Sequence, residues 1–317
     1  MFVSWPILAI LGLGYFLIGT VVGSFLNVCI YRIPWQKSVI WPGSRCPICF
    51  SAIAARDNIP IISWIALRGE CRCCGAPIAM RYPLVEALVG ILFLGVYLVD
   101  VIAGTPGDWG QVPVFQLVAA AYHAVFLALL VAATFIDYDL MIIPDQITIT
   151  GMVVGVVMGA LWPQVRPAPS SWPGITHLQG CGVGLLGLLV GAGLTQFFRK
   201  SAGFVLRREA MGFGDVTLMG MIGAFLGWKA AVLTFFLAPF PGLAHAGWKM
   251  LKYLKKRISG SQLSGADREI PLGPYLSMAA TSLFFLWKWV GPVCDRHLFS
   301  PLYVIFWWLW GINNLAD

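Results

Sequence analysis

The stretch FVSWPILAILGLGYFLIGTVVGSFLNVCIY, residues 2–31, decides the class of this protein. It contains no charged side chain and is longer than the ~20 apolar residues that cross the hydrocarbon core of a bilayer. No basic leader precedes it, so it does not have the pattern of a cleavable signal peptide. We expect it to remain in the protein as the first transmembrane helix.

The rest of the chain repeats this apolar pattern. Of its 317 residues, 59% are hydrophobic and 11% are charged, whereas soluble domains use roughly 25% charged residues. Further uncharged or nearly uncharged runs cover residues 82–99, 112–136, 146–162, 180–198, 216–228, 230–248 and 270–287. The sequence therefore predicts an all-α polytopic membrane protein with about eight transmembrane helices. A shorter, tryptophan-rich run at residues 302–312 is expected in the headgroup region, where indole rings are favoured.

The lysines and arginines predict the orientation of the helices. If the amino terminus is outside, the segments 31–81, 199–211 and 249–269 face the cytoplasm, and they carry 17 of the 21 basic residues. Such an asymmetry is the positive-inside signal of membrane proteins. The net charge of +7 therefore reflects topology. It predicts contact with anionic lipid headgroups and argues against a nucleic-acid partner.

Two pairs of cysteines lie in the long polar loop after the first apolar run. The pairs Cys46/Cys49 and Cys71/Cys74 each have two intervening residues, a spacing that suits a tetrahedral zinc ion held by four thiolates. Two structural disulfides are the alternative, but a cytoplasmic loop lies in a reducing compartment. Because four thiolates leave no position for water or substrate, the predicted Zn²⁺ is structural. The neighbouring Cys73 is left out of the predicted ligand set.

Two aspartates adjoin apolar runs on the predicted cytoplasmic side. Asp137 lies near the end of the third run, and Asp215 opens the short sixth run after Gly212 and Gly214. Ionisable groups at such positions are costly and usually functional. The two glycines permit unusual backbone angles and would let the backbone of another chain, such as an extended peptide, approach Asp215.

A pair of facing aspartates has the chemistry of aspartic proteolysis. Two adjacent carboxylates repel each other, so one is expected to hold a proton while the other activates water. The Gly-x-Gly-Asp pattern taken alone is equally explained by helix packing, for which membrane proteins often use glycine. A proton- or cation-coupled transporter with a cytoplasmic zinc module is the alternative from another class, since paired intramembrane acids also serve as ion sites.

Five motifs follow one another along the chain: GSFLNVCIYRIP (residues 23–34), the CxxC pair, RYPLVEAL (residues 81–88), DYDLMIIPD (residues 137–145) and GFGD (residues 212–215). Together and in this order they resemble the motifs of bacterial type IV prepilin peptidases, which belong to the GxGD class of intramembrane aspartyl proteases.

The resemblance implies a bifunctional enzyme of the bacterial inner membrane. Such an enzyme removes the leader of type IV prepilins or of type II secretion pseudopilins after a glycine, at the cytoplasmic face. It then methylates the new amino terminus with S-adenosylmethionine (SAM). Carried over to this chain, the catalytic pair is Asp137 and Asp215. Asp139 and Asp145 compete for the first role, although Asp145 is interpreted as a helix cap and Asp139 as a solvated loop residue.

The methyl-transfer site is less clearly marked in the sequence. No glycine-rich turn of the Rossmann type is present. Polar groups within the matching motifs, where the cytoplasmic domain meets the membrane, are therefore the candidates for SAM binding: Asn27, Arg32, Arg81 and Glu86. Interfacial anchoring is the alternative role for the two arginines.

The predicted organisation has four parts. Residues 1–31 form the first transmembrane helix and residues 32–81 form the zinc-binding, methyltransferase-associated domain. Residues 82–293 form the peptidase bundle, and residues 294–317 form an aromatic tail.

Overall fold

The computed structural model describes residues 5–103, 114–166, 177–207, 211–258 and 271–301. Within these ranges the chain forms helices and no strand, which confirms the predicted all-α class. The predicted interfacial segment at residues 302–312 lies outside the described residues. In the described ranges the helices are α1 (Trp5–Arg32), α2 (Ile62–Ala66), α3 (Arg81–Val96), α4 (Val114–Leu140), α5 (Asp145–Leu161), α6 (His177–Leu206), α7 (Phe213–Leu226), α8 (Trp228–Leu237), α9 (Pro239–Ile258) and α10 (Gly273–Cys294).

Several of these helices have the length and composition of membrane spans. In the described part of the chain, five segments are long and apolar enough to cross a membrane: Pro6–Trp35, Arg81–Ile102, Gln116–Leu140, His177–Leu206 and Trp228–Leu251. The helices α5 and α7 are apolar but shorter. The protein is therefore a multi-pass membrane protein, and the count of eight spans stays a prediction.

Small residues bring two pairs of helices into close contact. A Cβ at Gly19 of α1 would lie 2.8 Å from the Cα of Gly90 in α3. A Cβ at Gly187 of α6 would lie 2.0 Å from the carbonyl oxygen of Gly223 in α7. No larger residue fits at either crossing, because the backbones themselves are in contact. This is the small-residue packing that replaces the hydrophobic effect between helices in lipid.

The centre of the bundle determines where the two candidate aspartates lie. The helix α4 packs against α5 and α10, while α7 packs against α5 and α10 as well. Most side chains of α7 are buried, from Asp215 to Leu226. The carboxyl-terminal end of α4 therefore meets the amino-terminal ends of α7 and α10.

The start of α7 differs from our expectation of unusual backbone angles at Gly212 and Gly214. Gly212 precedes the helix in an extended conformation, with φ −69° and ψ 157°, and Gly214 is an ordinary helical residue. That part of the prediction was wrong. Asp215 lies in the first helical turn, and its carboxylate accepts a 3.2 Å hydrogen bond from the Gly212 amide. This bond satisfies one of the free amides at the helix start.

Arg166, after α5, is 4% exposed. Its guanidinium donates hydrogen bonds to the carbonyl oxygens of Gly155, Gly159 and Gly180. The glycines leave room for the guanidinium between α5 and α6, since a Cβ at Gly159 would lie 2.1 Å from it. A buried cation paired with carbonyl oxygens is one of the few stable arrangements for arginine in a membrane bundle.

Candidate active site and zinc-binding domain

Asp137 lies one turn from the end of α4 and is 6% exposed. Its Oδ2 accepts a 3.0 Å hydrogen bond from the main-chain amide of Gly273, the first residue of α10. Amides at a helix start have no partner within their own helix and favour a negative charge. The amino terminus of α10 therefore holds the Asp137 carboxyl group in place.

Asp215 faces the same region from the start of α7. It is 7% exposed. Gly214, the residue before it, and Gly273, whose amide donates to Asp137, both pack against Ile143, so the two aspartates that the sequence analysis paired lie in the same region of the bundle. Each one accepts a hydrogen bond from a backbone amide at the start of a helix.

The loop between α4 and α5 fills the space beside this pair through Ile143. A Cβ at Gly214 would lie 2.9 Å from the Ile143 Cβ, and a Cβ at Gly273 would lie 3.1 Å from the Ile143 Cδ1. Gly214 is therefore required by packing. A Cβ at Gly212 would make only ordinary contacts among the described residues, the nearest with the Asp215 Oδ2 at 3.6 Å. Gly212 is therefore the less tightly packed of the two glycines.

The two competing aspartates occupy different environments. Asp139 forms an ion pair with Arg81, with 2.6 Å between the Arg81 Nη1 and the Asp139 Oδ2. Asp139 is exposed, as expected for a solvated residue, but its assignment to a loop was wrong, because it belongs to α4 and has a charged partner. Asp145 is exposed at the first position of α5. It is not the cap that we expected, since Pro144 occupies the cap position.

The four candidate SAM-binding residues do not all meet. Asn27, Arg32 and Glu86 line a cavity between the carboxyl-terminal end of α1 and the cysteine-rich loop. Arg81 does not line this cavity. It lies at the start of α3 and turns toward α4, where it contacts Asp139.

The cavity has a volume of about 790 Å³, within the range of roughly 300–1,000 Å³ typical of small-molecule sites. Its wall carries the Glu86 carboxylate and the Trp64 side chain. The Glu86 Oε2 accepts a 2.7 Å hydrogen bond from the Ile61 amide, and the Asn27 side-chain amide donates to the Tyr82 carbonyl oxygen. These bonds fix two polar groups on the membrane side of the cavity.

Asp57 adds a second carboxylate to the cavity wall. The Arg72 guanidinium donates two short hydrogen bonds to it, 2.8 Å from Nε to Oδ2 and 2.7 Å from Nη2 to Oδ1. These hydrogen bonds from Arg72 hold the pKa of Asp57 below its usual value. The Asp57 carboxylate is therefore charged at neutral pH and held on the wall.

The cysteine-rich loop forms two matching knuckles. The Cys46 amide donates to the Ser51 carbonyl oxygen, and the Cys71 amide donates to the Ala76 carbonyl oxygen. Each of these bonds closes a tight turn that points two thiols inward. The Sγ atoms of Cys46, Cys49, Cys71 and Cys74 all lie within 4.8 Å of one another.

The spacing of the thiols fits a tetrahedral zinc ion. Zn–S bonds of 2.3 Å place two sulfurs about 3.8 Å apart, and the Cys46 and Cys74 Sγ atoms are 3.8 Å apart. All eight cysteines of the chain are free thiols in the structure, which favours the four-thiol site over two disulfides. Cys73 is exposed and does not belong to the four-sulfur group.

The thiols of the cluster differ in acidity. Hydrogen bonds from the Ser51 hydroxyl and amide lower the pKa of Cys49 to about 6. Backbone amides of Cys74 and Cys73 lower the pKa of Cys71. The Ala76 amide acts in the same sense on Cys74, but burial and the neighbouring thiols raise the pKa of Cys74 to about 12. Four adjacent thiolates require a cation, which a divalent metal supplies.

Comparisons with known proteins identify the family. Residues 17–99 match the profile of the bacterial peptidase A24 N-terminal domain, and residues 124–247 match that of the type IV leader peptidase family. A "prepilin leader peptidase/N-methyltransferase" of Aeromonas hydrophila is 33% identical over 289 residues, which cover 83% of this chain and 87% of that protein.

The chain belongs to the type IV leader peptidase family. A relative with the same name from Myxococcus xanthus is 38% identical over 227 residues, covering 72% of this chain and 59% of that protein. A "type 4 prepilin-like proteins leader peptide-processing enzyme" of Escherichia coli is 32% identical over 301 residues, covering 89% of this chain and 94% of that protein. No solved structure matches the chain significantly. Membership of the leader peptidase family confirms the predicted resemblance and favours an enzyme over a transporter.

Proposed function

We propose that this leader peptidase family member cleaves the leader of type IV prepilins or of type II secretion pseudopilins, after a glycine, with Asp137 and Asp215 as the catalytic pair. The observation that carries the proposal is geometric: both aspartates are buried and hydrogen-bonded to a backbone amide at a helix start, and Gly214 and Gly273 beside them pack against the same residue, Ile143. Curated relatives named for prepilin processing support the substrate class.

The proposed cleavage uses the two carboxyl groups in complementary protonation states. One carboxylate accepts a proton from a water molecule, which attacks the scissile carbonyl carbon, while the protonated partner donates to the developing oxyanion. Both groups are held by backbone amides before substrate binds. The apolar helix of the substrate enters from the lipid, and its glycine peptide lies beside Gly212, the less tightly packed of the two glycines.

We propose that the cavity beside the zinc-binding loop binds SAM for methylation of the new amino terminus. SAM carries positive charge on its sulfonium, which the Glu86 and Asp57 carboxylates complement, and a planar adenine, which the Trp64 indole complements. SAM supplies an electrophilic methyl group when bound. The proposed Zn²⁺ is structural, because four thiolates leave no open position on the ion. It would stabilise the cavity wall, since Cys46 and Cys71 belong both to the four-thiol cluster and to that wall.

The proposed location is the bacterial inner membrane, with both sites at its cytoplasmic face. The support is the concentration of basic residues in the segments on that side, which also favours contact with anionic lipids. The cysteine-rich loop and the Asp137/Asp215 pair then lie at the same membrane surface.

Two assays on purified full-length protein test the two activities. Asp215→Asn should bind a prepilin substrate without cutting it, whereas the wild type cuts it. Radiolabelled methyl transfer from SAM to a pre-cleaved pilin should proceed in both proteins. Normal cleavage by the variant would remove the aspartate pair from the mechanism, and absent methyl transfer in the wild type would remove the second activity.

A further inference from the structure

Arg81 makes two contacts with α4, and these flank Asp137. Its Nη1 lies 2.6 Å from the Asp139 Oδ2, and its guanidinium carbon lies 5.1 Å from the centroid of the Phe135 ring. The second contact is a cation–π interaction. Arg81 therefore touches α4 two residues before and two residues after the proposed catalytic group.

The geometry of a helix places these contacts behind Asp137. Phe135 and Asp139 are four residues apart, so their side chains lie on the same face of α4. A residue midway between them is rotated by about 200° and points to the other side. Arg81 thus supports the last turn of α4 from the back, while Asp137 points toward Gly273 and Asp215.

Stability alone does not account for this arginine. The side chains of Arg81 and Asp139 are 39% and 33% exposed, and ion pairs with such exposure contribute little to folding. The Arg81 Nη2 is buried and has no hydrogen-bond partner among the described residues, which is unfavourable. An unpaired buried donor beside a catalytic turn is more typical of a functional constraint.

We propose that Arg81 is a positioning residue of the peptidase site, which clamps the last turn of α4 and keeps Asp137 facing Asp215. Arg81 lies in the segment matched by the N-terminal domain profile, and Asp137 lies in the segment matched by the leader peptidase profile. The clamp therefore makes cleavage depend on the N-terminal domain. This inference rests on the proposed role of Asp137 and Asp215 in cleavage.

The Arg81→Met variant distinguishes the clamp from a role in SAM binding, because the clamp predicts a lower kcat for cleavage and SAM binding predicts a higher KM for SAM. If Arg81 positions Asp137, Arg81→Met lowers kcat for prepilin cleavage by about tenfold to a hundredfold, because small misplacements of a catalytic group have effects of this order. The KM for prepilin stays within about threefold. The KM for SAM, measured with a pre-cleaved pilin, is unchanged.

Variants at Asp139, the ion-pair partner of Arg81, test whether Arg81 affects the kcat for cleavage through α4. Asp139→Asn should lower kcat for cleavage in the same way, and the double variant should be no worse than either single variant, since both remove one interaction. Arg81→Lys should be intermediate, because lysine keeps the charge but lacks the planar group that stacks on Phe135. The matched control is Arg207→Met, which changes an exposed arginine after α6. This variant should cleave prepilin with the wild-type kcat.

Three results would overturn the proposal. The first is unchanged kcat in Arg81→Met with a raised KM for SAM, which would make Arg81 a cofactor ligand. The second is wild-type cleavage by Asp139→Asn, which keeps the test decisive even if Arg81→Met fails to fold. The third is a parallel loss of cleavage, methyl transfer and thermal stability in both variants. Asp137→Asn is assayed alongside. If this variant cleaves normally, the aspartate mechanism itself fails. If it is inactive while Arg81→Met cleaves at the wild-type rate, only the clamp is refuted.

Discussion

The main-chain amide of Gly273 donates a 3.0 Å hydrogen bond to the Asp137 carboxylate across 136 positions of the sequence. The same glycine lies so close that a Cβ there would be 2.6 Å from Oδ2 and 3.1 Å from Cγ of Asp137. The start of α10 is therefore part of the proposed active site. It supplies a hydrogen-bond donor and at the same time excludes any side chain.

Gly273→Ala is predicted to abolish most prepilin cleavage. The added methyl group forces the Asp137 carboxylate to move, and a shift of this kind lowers kcat by on the order of 10². Steady-state cleavage by the purified variant measures the effect. Gly193→Ala in α6, where a Cβ meets nothing within 4 Å, is the matched control and should cleave at the wild-type rate. Methyl transfer to a pre-cleaved pilin should persist in Gly273→Ala, and its loss together with cleavage would indicate misfolding instead.

The two glycines before Asp215 are predicted to behave differently when each is replaced by alanine. Gly214→Ala should lower kcat, because its Cβ would lie 2.9 Å from the Ile143 Cβ and the start of α7 must move. Gly212→Ala has space for its methyl group, so it should keep kcat within about threefold and raise KM where the substrate backbone approaches. Full kinetic curves separate the two effects. Equal kcat losses in both variants would contradict the distinction.

Zinc content is predicted to depend on four cysteines and not on the fifth in the same loop. Cys74→Ser should lower the zinc bound per protein and reduce methyl transfer, because one wall of the cavity loses its support. Cys73→Ser should keep the zinc content, since Cys73 lies outside the cluster; because its side chain lines the cavity, it is a control for zinc content only. Metal analysis of the purified variants decides the point. Full zinc occupancy in Cys74→Ser would refute the assigned ligand set.

Acidification is predicted to release the metal. Thiols bind zinc as thiolates, so protonation competes with the metal. The Ser51 hydrogen bonds lower the pKa of Cys49 to about 6 in the metal-free loop, and a bound divalent cation would favour the thiolate of every ligand further. Zinc should therefore be retained at neutral pH and be lost only on stronger acidification. A fluorescent chelator follows the release, and retention of zinc that does not vary with pH would contradict the thiolate site.

Glu86→Gln is predicted to weaken SAM binding without affecting cleavage. Glutamine keeps an oxygen that accepts the Ile61 amide hydrogen bond but removes the negative charge from the cavity. Losing one charge-assisted interaction corresponds to a rise of about tenfold in the KM for SAM. The assay uses a pre-cleaved pilin, with prepilin cleavage as the internal control. An unchanged KM for SAM would place the cofactor elsewhere.

Much of the fold and part of the site could be predicted from the sequence. The apolar runs predicted the helices, because the length of a membrane span and its lack of charge are local properties. The cysteine spacing predicted the two cysteine knuckles, because two thiols on one tight turn need only a short segment. The pairing of Asp137 with Asp215 came from the family resemblance together with topology, which places both on one side of the membrane.

Contacts between distant segments could not be predicted in the same way. Gly273 carries no chemical signal of its own, and its role depends on where the start of α10 meets α4. Ile143 looks like any other loop hydrophobe, yet it packs against both Gly214 and Gly273. Arg81 was grouped with Arg32 because both lie in matching motifs beside the cytoplasmic domain, but its side chain turns to α4. Three-dimensional packing decides each of these roles.

The most direct test of the account is single-turnover cleavage of a prepilin by Asp137→Asn and Asp215→Asn in reconstituted membranes. Both variants should bind substrate with wild-type affinity and form no cleaved product, because each lacks one of the two carboxyl groups that activate water and protonate the oxyanion. The Asp145→Asn variant, at the exposed start of α5, should cleave normally. Cleavage at the wild-type rate by either Asp137→Asn or Asp215→Asn would contradict the account.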